Sequence, residues 1–258
     1  MTDTLGYRCV MGVITPSVNT CVQPEFEAMR PPGVTNHVAR MFMQNATVRD
    51  DKDFLGVVDA IDRAVEPAVE RVMTARPDHL IVGVSIEAIW GGRAGGEALR
   101  RRIEDRSTCP VTLASDALLA ALAVLKVDGP IAVISPYRPP GLEQVKRYFA
   151  ECGIEVRRAV GITGEARRSP GVAHETPIAL AHLSKAKLCA ELRRLDGDDI
   201  AAIVQFGANI AMAEVAAEGC RWLGKPVIAV NAATYWHGLR QAGIPDRIQG
   251  FGPLLELH

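Results

Sequence analysis

The residues best equipped for chemistry stand in four short stretches, each directly after an apolar, β-branched run. Thr15-Pro16-Ser17-Val18-Asn19 follows the first run, and Ser135-Pro136-Tyr137-Arg138 follows a matching one 120 positions later. Gly83-Val84-Ser85-Ile86-Glu87 and Phe206-Gly207-Ala208-Asn209 form a second such pair. Together they offer hydroxyls, amides, a phenol, a carboxyl group and glycines that leave backbone N–H groups accessible. Such a set suits a carboxylate or developing oxyanion held by neutral donors rather than by a metal. The expected substrate contacts are Ser17, Asn19, Ser85, Ser135, Tyr137, Gly207 and Asn209. Proton transfer falls to Glu87 and Tyr137, with Ser85 as a donor or nucleophile; a desolvated Glu87 with a raised pKa would serve as general acid/base.

Each residue also has a plainer use. Ser17, Asn19 and Asn209 are favoured helix N-caps, Tyr137 suits a half-buried core position, and Glu87 suits the first turn of a helix. Arg40, just past the second apolar run, could face an anion or solvent. No Ser-His-Asp arrangement is readable, so a serine nucleophile would lack a base. Trp90-Gly91-Gly92-Arg93-Ala94-Gly95-Gly96 resembles a phosphate loop but lacks the GK[ST] ending, which leaves a turn or flexible lid. The six histidines show no metal-ligand spacing, so no metal and no cofactor are expected. Arg100-Arg101-Arg102 reads as a solvated helix face.

The elements that must position these loops alternate almost from end to end. Strands are expected at Arg8–Ile14, Asn36–Met41, His79–Val84, Val111–Leu113, Ile131–Ser135, Ile154–Val160, Ile200–Phe206 and Val227–Val230. Amphipathic helices are expected near 53–75, 94–106, 115–126, 140–151, 185–195, 210–223 and 232–242, with Pro67 kinking or shortening the first. Short apolar strands separated by helices describe an α/β protein with parallel sheets covered on both faces. Gly161–Pro177 reads as a long loop. Three landmarks repeat in order at offsets of 120, 122 and 116, which suggests two similar halves. The expected division is 1–120 plus 224–258 against 121–223. Ligands of open parallel sheets bind beyond the carboxyl ends of the strands, where the four stretches lie.

Composition narrows the partners. With 29 basic and 30 acidic side chains among 258 residues, electrostatics gives no reason to expect nucleic acid or an anionic membrane. No apolar run reaches the roughly 20 residues of a membrane span and no signal peptide is evident. The six scattered cysteines, without a CxxC pair, point to reduced thiols in the cytoplasm. The weak charge and apolar helices permit a homo-oligomer.

Gly12-Val13-Ile14-Thr15-Pro16-Ser17-Val18-Asn19-Thr20, Val38-Ala39-Arg40-Met41 and Ser135-Pro136-Tyr137 resemble the maleate cis-trans isomerase and arylmalonate decarboxylase branch of the aspartate/glutamate racemase superfamily. The resemblance covers nearly the whole chain. It implies two Rossmann-like halves, each with a parallel four-stranded sheet, related by pseudo-two-fold symmetry. Gly83 to Gly91 is similar to the decarboxylase loop whose serine helps hold a carboxylate, and Tyr137 matches a substrate-binding position. The superfamily normally uses one or two cysteines, one after each matched strand. Here those positions fall at Gly83 or Ser85 and at Phe206 or Gly207, none of them cysteine. The expected function is therefore a cofactor-independent lyase, isomerase or hydrolase acting on a small carboxylate or related carbonyl compound by non-cysteine acid/base chemistry. Two other readings stand beside it: a binding or sensor protein that kept the pocket without catalysis, and thiol chemistry through Cys21.

Overall fold

All eight apolar runs form parallel strands, as a computed structural model shows for residues 3–163 and 176–258. The first sheet holds β1 (Cys9–Pro16), β2 (Val34–Met41), β3 (His79–Val82) and β4 (Val111–Thr112) in the order β2-β1-β3-β4. The second holds β5 (Ile131–Ser135), β6 (Val156–Gly161), β7 (Ala202–Gln205) and β8 (Val227–Ala229) in the order β6-β5-β7-β8. The two orders are identical, so the repeat read from the sequence is a repeat of topology. β3, β5 and β7 are buried along their whole length, which explains why their sequences run apolar instead of alternating.

The helices are α1 (Val22–Ala28), α2 (Asp51–Met73), α3 (Gly92–Glu104), α4 (Ala114–Val124), α5 (Pro139–Glu151), α6 (Lys185–Leu195), α7 (Ala213–Leu223), α8 (Val230–Gln241) and α9 (Pro253–Leu257). A 3₁₀ turn spans Pro177–His182. The seven-residue α1 was not anticipated, because it is too short to display a period and contains Pro24. In α2 the Asp50 carboxylate accepts from Asp53 N–H and starts the helix. Phe54, Val58, Ile61, Val65, Val69 and Val72 then form its buried stripe. Each such side chain stabilises the fold by about 1.5–3 kcal/mol.

Three expectations need correction here. Pro67 neither ends nor shortens α2, which continues to Met73. Its ring lies on the exposed face, where water can take the carbonyl it leaves free. The four-glycine stretch is not a lid but a packed helix start. A Cβ on Gly95 would lie 1.7 Å from the Trp90 carbonyl oxygen, and one on Gly96 2.5 Å from that of Ala88. The stretch 224–258, expected with the first half, is divided: β8 pairs with β7 in the second sheet, while α8 packs on α4, β3 and β4 of the first. Of the expected loop Gly161–Pro177, residues 164–175 lie outside the described residues.

Candidate active site

The carboxyl ends of both sheets face one cavity of about 160 Å³ between the halves. Pro16, Val18 and Asn19 enter it from the loop after β1, and Val84, Ser85 and Ile86 from the loop after β3. Pro136, Tyr137 and Arg138 follow β5, and Gly207, Ala208 and Asn209 follow β7. The four stretches singled out by sequence thus meet in space, as the strand-end rule requires. The opposite wall is apolar: Met43, Val48, Phe54, Val57, Ile61 and Leu180.

The polar corner is compact. Ser85 Oγ lies 2.6 Å from the Tyr137 hydroxyl, and Ala208 N–H donates to the same Oγ at 3.2 Å. Ser85 and Tyr137 come from different halves, so the pair exists only when the halves are docked. Burial pushes the Tyr137 phenol far above its ordinary pKa, which keeps it a neutral donor. Phe54 and Phe206 hold its ring, with centroids 6.1 and 6.2 Å away. Gly207 permits the close approach: a Cβ there would lie 2.3 Å from Pro136 Cδ. The side chain of Gln205 ties the β7 loop from behind, donating to Gly207 O at 2.8 Å.

The other expected site residues serve the scaffold. Ser17 is exposed and does not line the cavity; its hydroxyl donates to Met43 O and accepts from Met43 N–H, pinning the end of β2. Ser135 is buried behind Tyr137, whose N–H donates to its Oγ at 3.4 Å. Asn19 lines the cavity, but its Oδ1 accepts from Cys21 and Val22 N–H and so starts α1. Asn209 also lines it and fastens the halves: Oδ1 accepts from Thr20 N–H, while Nδ2 donates to Pro177 O. Arg40 turns away from the cavity to Asn19 O and Gln23. Arg100 reaches Asp116 and Arg102 reaches Asp62 and Glu66, so only part of that basic cluster is a solvated face.

Glu87 departs most from expectation. It does not line the cavity. Its carboxyl group is enclosed, and neither oxygen has a hydrogen-bond partner among the described residues. Burial therefore raises its pKa well above the ordinary carboxyl value, and it is a neutral acid at neutral pH. Cys21 is also buried away from the cavity, its thiol pushed up to about 12 by burial and by nearby Glu25. No cysteine appears among the described lining residues.

Sequence reasoning missed the apolar wall, although the stripe of α2 contained it: Phe54, Val58 and Ile61 read only as core. It also missed Glu25 and Asn231, which lie outside any strand-end loop.

The arrangement of loops and sheets is one that known proteins share. The family model for arylmalonate decarboxylase matches residues 11–255. The chain belongs to that family. A maleate isomerase of Pseudomonas putida is 29% identical over 256 residues, covering 95% of this chain and 96% of its own. Among solved structures, the fold is similar to a Nocardia farcinica maleate cis-trans isomerase variant with a covalently bound succinylcysteine intermediate. That match has a TM-score of 0.82 at 20% identity, covering 96% of this chain and 98% of the other. Arylmalonate decarboxylase itself superposes with a TM-score of 0.74 at 19% identity, covering 96% and 100% of the two chains. The two-halved α/β architecture is thus the family's, and the family relatives are enzymes.

Proposed function

We propose that this chain is a lyase acting on a small carboxylate with an apolar arm, through an enediolate and without a thiol. The observation that carries the proposal is the corner formed by Ser85 Oγ, the Tyr137 hydroxyl and Ala208 N–H, three neutral donors at one end of an otherwise apolar cavity. A carboxylate seated there would accept from all three, and its substituent would lie against Phe54, Val57 and Ile61. Arg138 on the cavity wall, ion-paired to Asp51, would face a second carboxylate.

Such a corner favours a reaction that builds negative charge on the held carboxylate. When a malonate-type diacid loses CO₂, the electrons of the broken C–C bond pass into the remaining carboxylate as an enediolate. Donors fixed on those oxygens stabilise that charge more than they stabilise the ground state. A proton from the Tyr137 hydroxyl then completes the α-carbon, and solvent restores the phenol. The relatives named for maleate isomerisation suggest a different step, addition to a double bond, for which neither strand-end loop of this chain supplies a thiol.

One observation favours a second reading, a carboxylate-binding protein without turnover. Among the described lining residues there is no carboxyl, imidazole or thiol group. Incubation with phenylmalonate in D₂O separates the two. The enzyme reading expects phenylacetate carrying deuterium at the α-carbon; the binding reading expects a raised melting temperature with no product. Neither a shift nor a product would remove both.

A further inference from the structure

The two halves cap each other's helices, and they do so with different chemistry. From α5, Gln144 Oε1 accepts from Gly91 N–H, at the start of α3 in the opposite half, at 3.1 Å. From α1, Glu25 Oε1 accepts from Ala213 N–H, at the start of α7, at 2.8 Å. Gln144 stands 119 positions after Glu25, close to the spacing of the repeat, so the two are counterparts. One cap is a neutral amide and the other can ionise.

The carboxylate also does something its counterpart does not. Glu25 Oε2 accepts from Asn231 Nδ2 at 2.6 Å, at the start of α8. The same Nδ2 donates to Ala208 O at 2.9 Å. Ala208 is the residue whose N–H meets Ser85, so a line of contacts runs from Glu25 to the polar corner.

We propose that Glu25 is a positioning residue: its ionised carboxylate, through Asn231, holds the Ala208 loop against Ser85 and Tyr137, and protonation releases it. Both Glu25 oxygens act as acceptors. A proton placed between Oε2 and Asn231 sets donor against donor. If the Asn231 amide then turns over, its Oδ1 faces the Ala208 carbonyl, and the loop loses its tether.

The titration lies in a useful range. Burial pushes the Glu25 carboxyl up to about 7, although the Ala213 N–H and the Asn231 amide pull it down. The facing charge on α7 is Glu214, which raises it further and is itself paired with Lys185. α8 presents Asn231, and on the near side of α1 stands the Cys21 thiol.

Amide hydrogen exchange of the segment 206–212, with each rate divided by its intrinsic rate, tests this between pH 5.5 and 8.5. The wild type should gain about tenfold in protection as pH rises through 7, the size expected for a hydrogen bond to a charged group. Glu25→Gln keeps an acceptor for Ala213, as Gln144 does for Gly91, yet should stay at the low plateau throughout. Asn231→Ala should match it, and the double variant should be no lower. Gln144→Ala should leave the step in place. A flat wild-type profile, or Glu25→Gln at the high plateau, would overturn the inference.

A binding arm rests on the anion site proposed above. Phenylmalonate should bind the wild type about tenfold more weakly below pH 6 than above pH 8, and Glu25→Gln equally at both. Tighter wild-type binding in acid would count against the inference. A protection step without any phenylmalonate binding keeps the inference and removes only the functional reading.

Discussion

Glu87 shows how far a residue's type can be separated from its use. It sits two positions after Ser85, in the loop that builds the site, yet its carboxyl is enclosed and neutral away from the cavity. Its native pKa exceeds the unfolded value of 4.5, so between the two values the native state holds a proton that the unfolded state has lost. That contribution to stability is complete below about pH 4.5 and is lost as pH climbs through the native value. Urea unfolding from pH 5 to 9 should show wild-type stability falling more steeply than that of Glu87→Gln. Parallel curves would mean that Glu87 is solvated or paired. The Ser85–Tyr137 pair was legible by residue type, because hydroxyls after parallel strands seldom lack a partner. The inward or outward aim of Glu87 was not, since a loop carries no period from which a face can be read.

At the scale of elements, the sequence was most legible where one face repeats. Every strand and seven helices follow from apolar period, while α1 and the 3₁₀ turn at Pro177–His182 escaped because they are too short to show one. The glycines of 91–96 misled for a physical reason. Glycine marks both freedom and close approach, and here it is close approach that counts: the α3 start packs against the Trp90 and Ala88 carbonyls. Gly95→Ala should therefore destabilise the protein by about 1–3 kcal/mol, the usual cost of overpacking, in urea unfolding at neutral pH. A variant as stable as wild type would show that this turn is loose after all.

For the whole molecule, duplication explains both the symmetry of the site and its asymmetry. Two copies of one topology bring four strand-end loops to a shared cavity, and each half reaches across to cap a helix of the other. The repeat was visible in the sequence; the interleaving at α8 was not, because β8 and α8 adjoin without a linker yet pack on different sheets. The positions where the superfamily resemblance implies thiols hold none here, and the cavity supplies neutral donors instead. The most direct test compares kcat/KM for phenylmalonate in Tyr137→Phe and Cys21→Ser. A thiol-free site built on the Ser85–Tyr137 corner predicts a loss on the order of 100-fold in Tyr137→Phe, as for removal of one oxyanion donor, and no change in Cys21→Ser. Full activity in Tyr137→Phe with activity abolished in Cys21→Ser would contradict it.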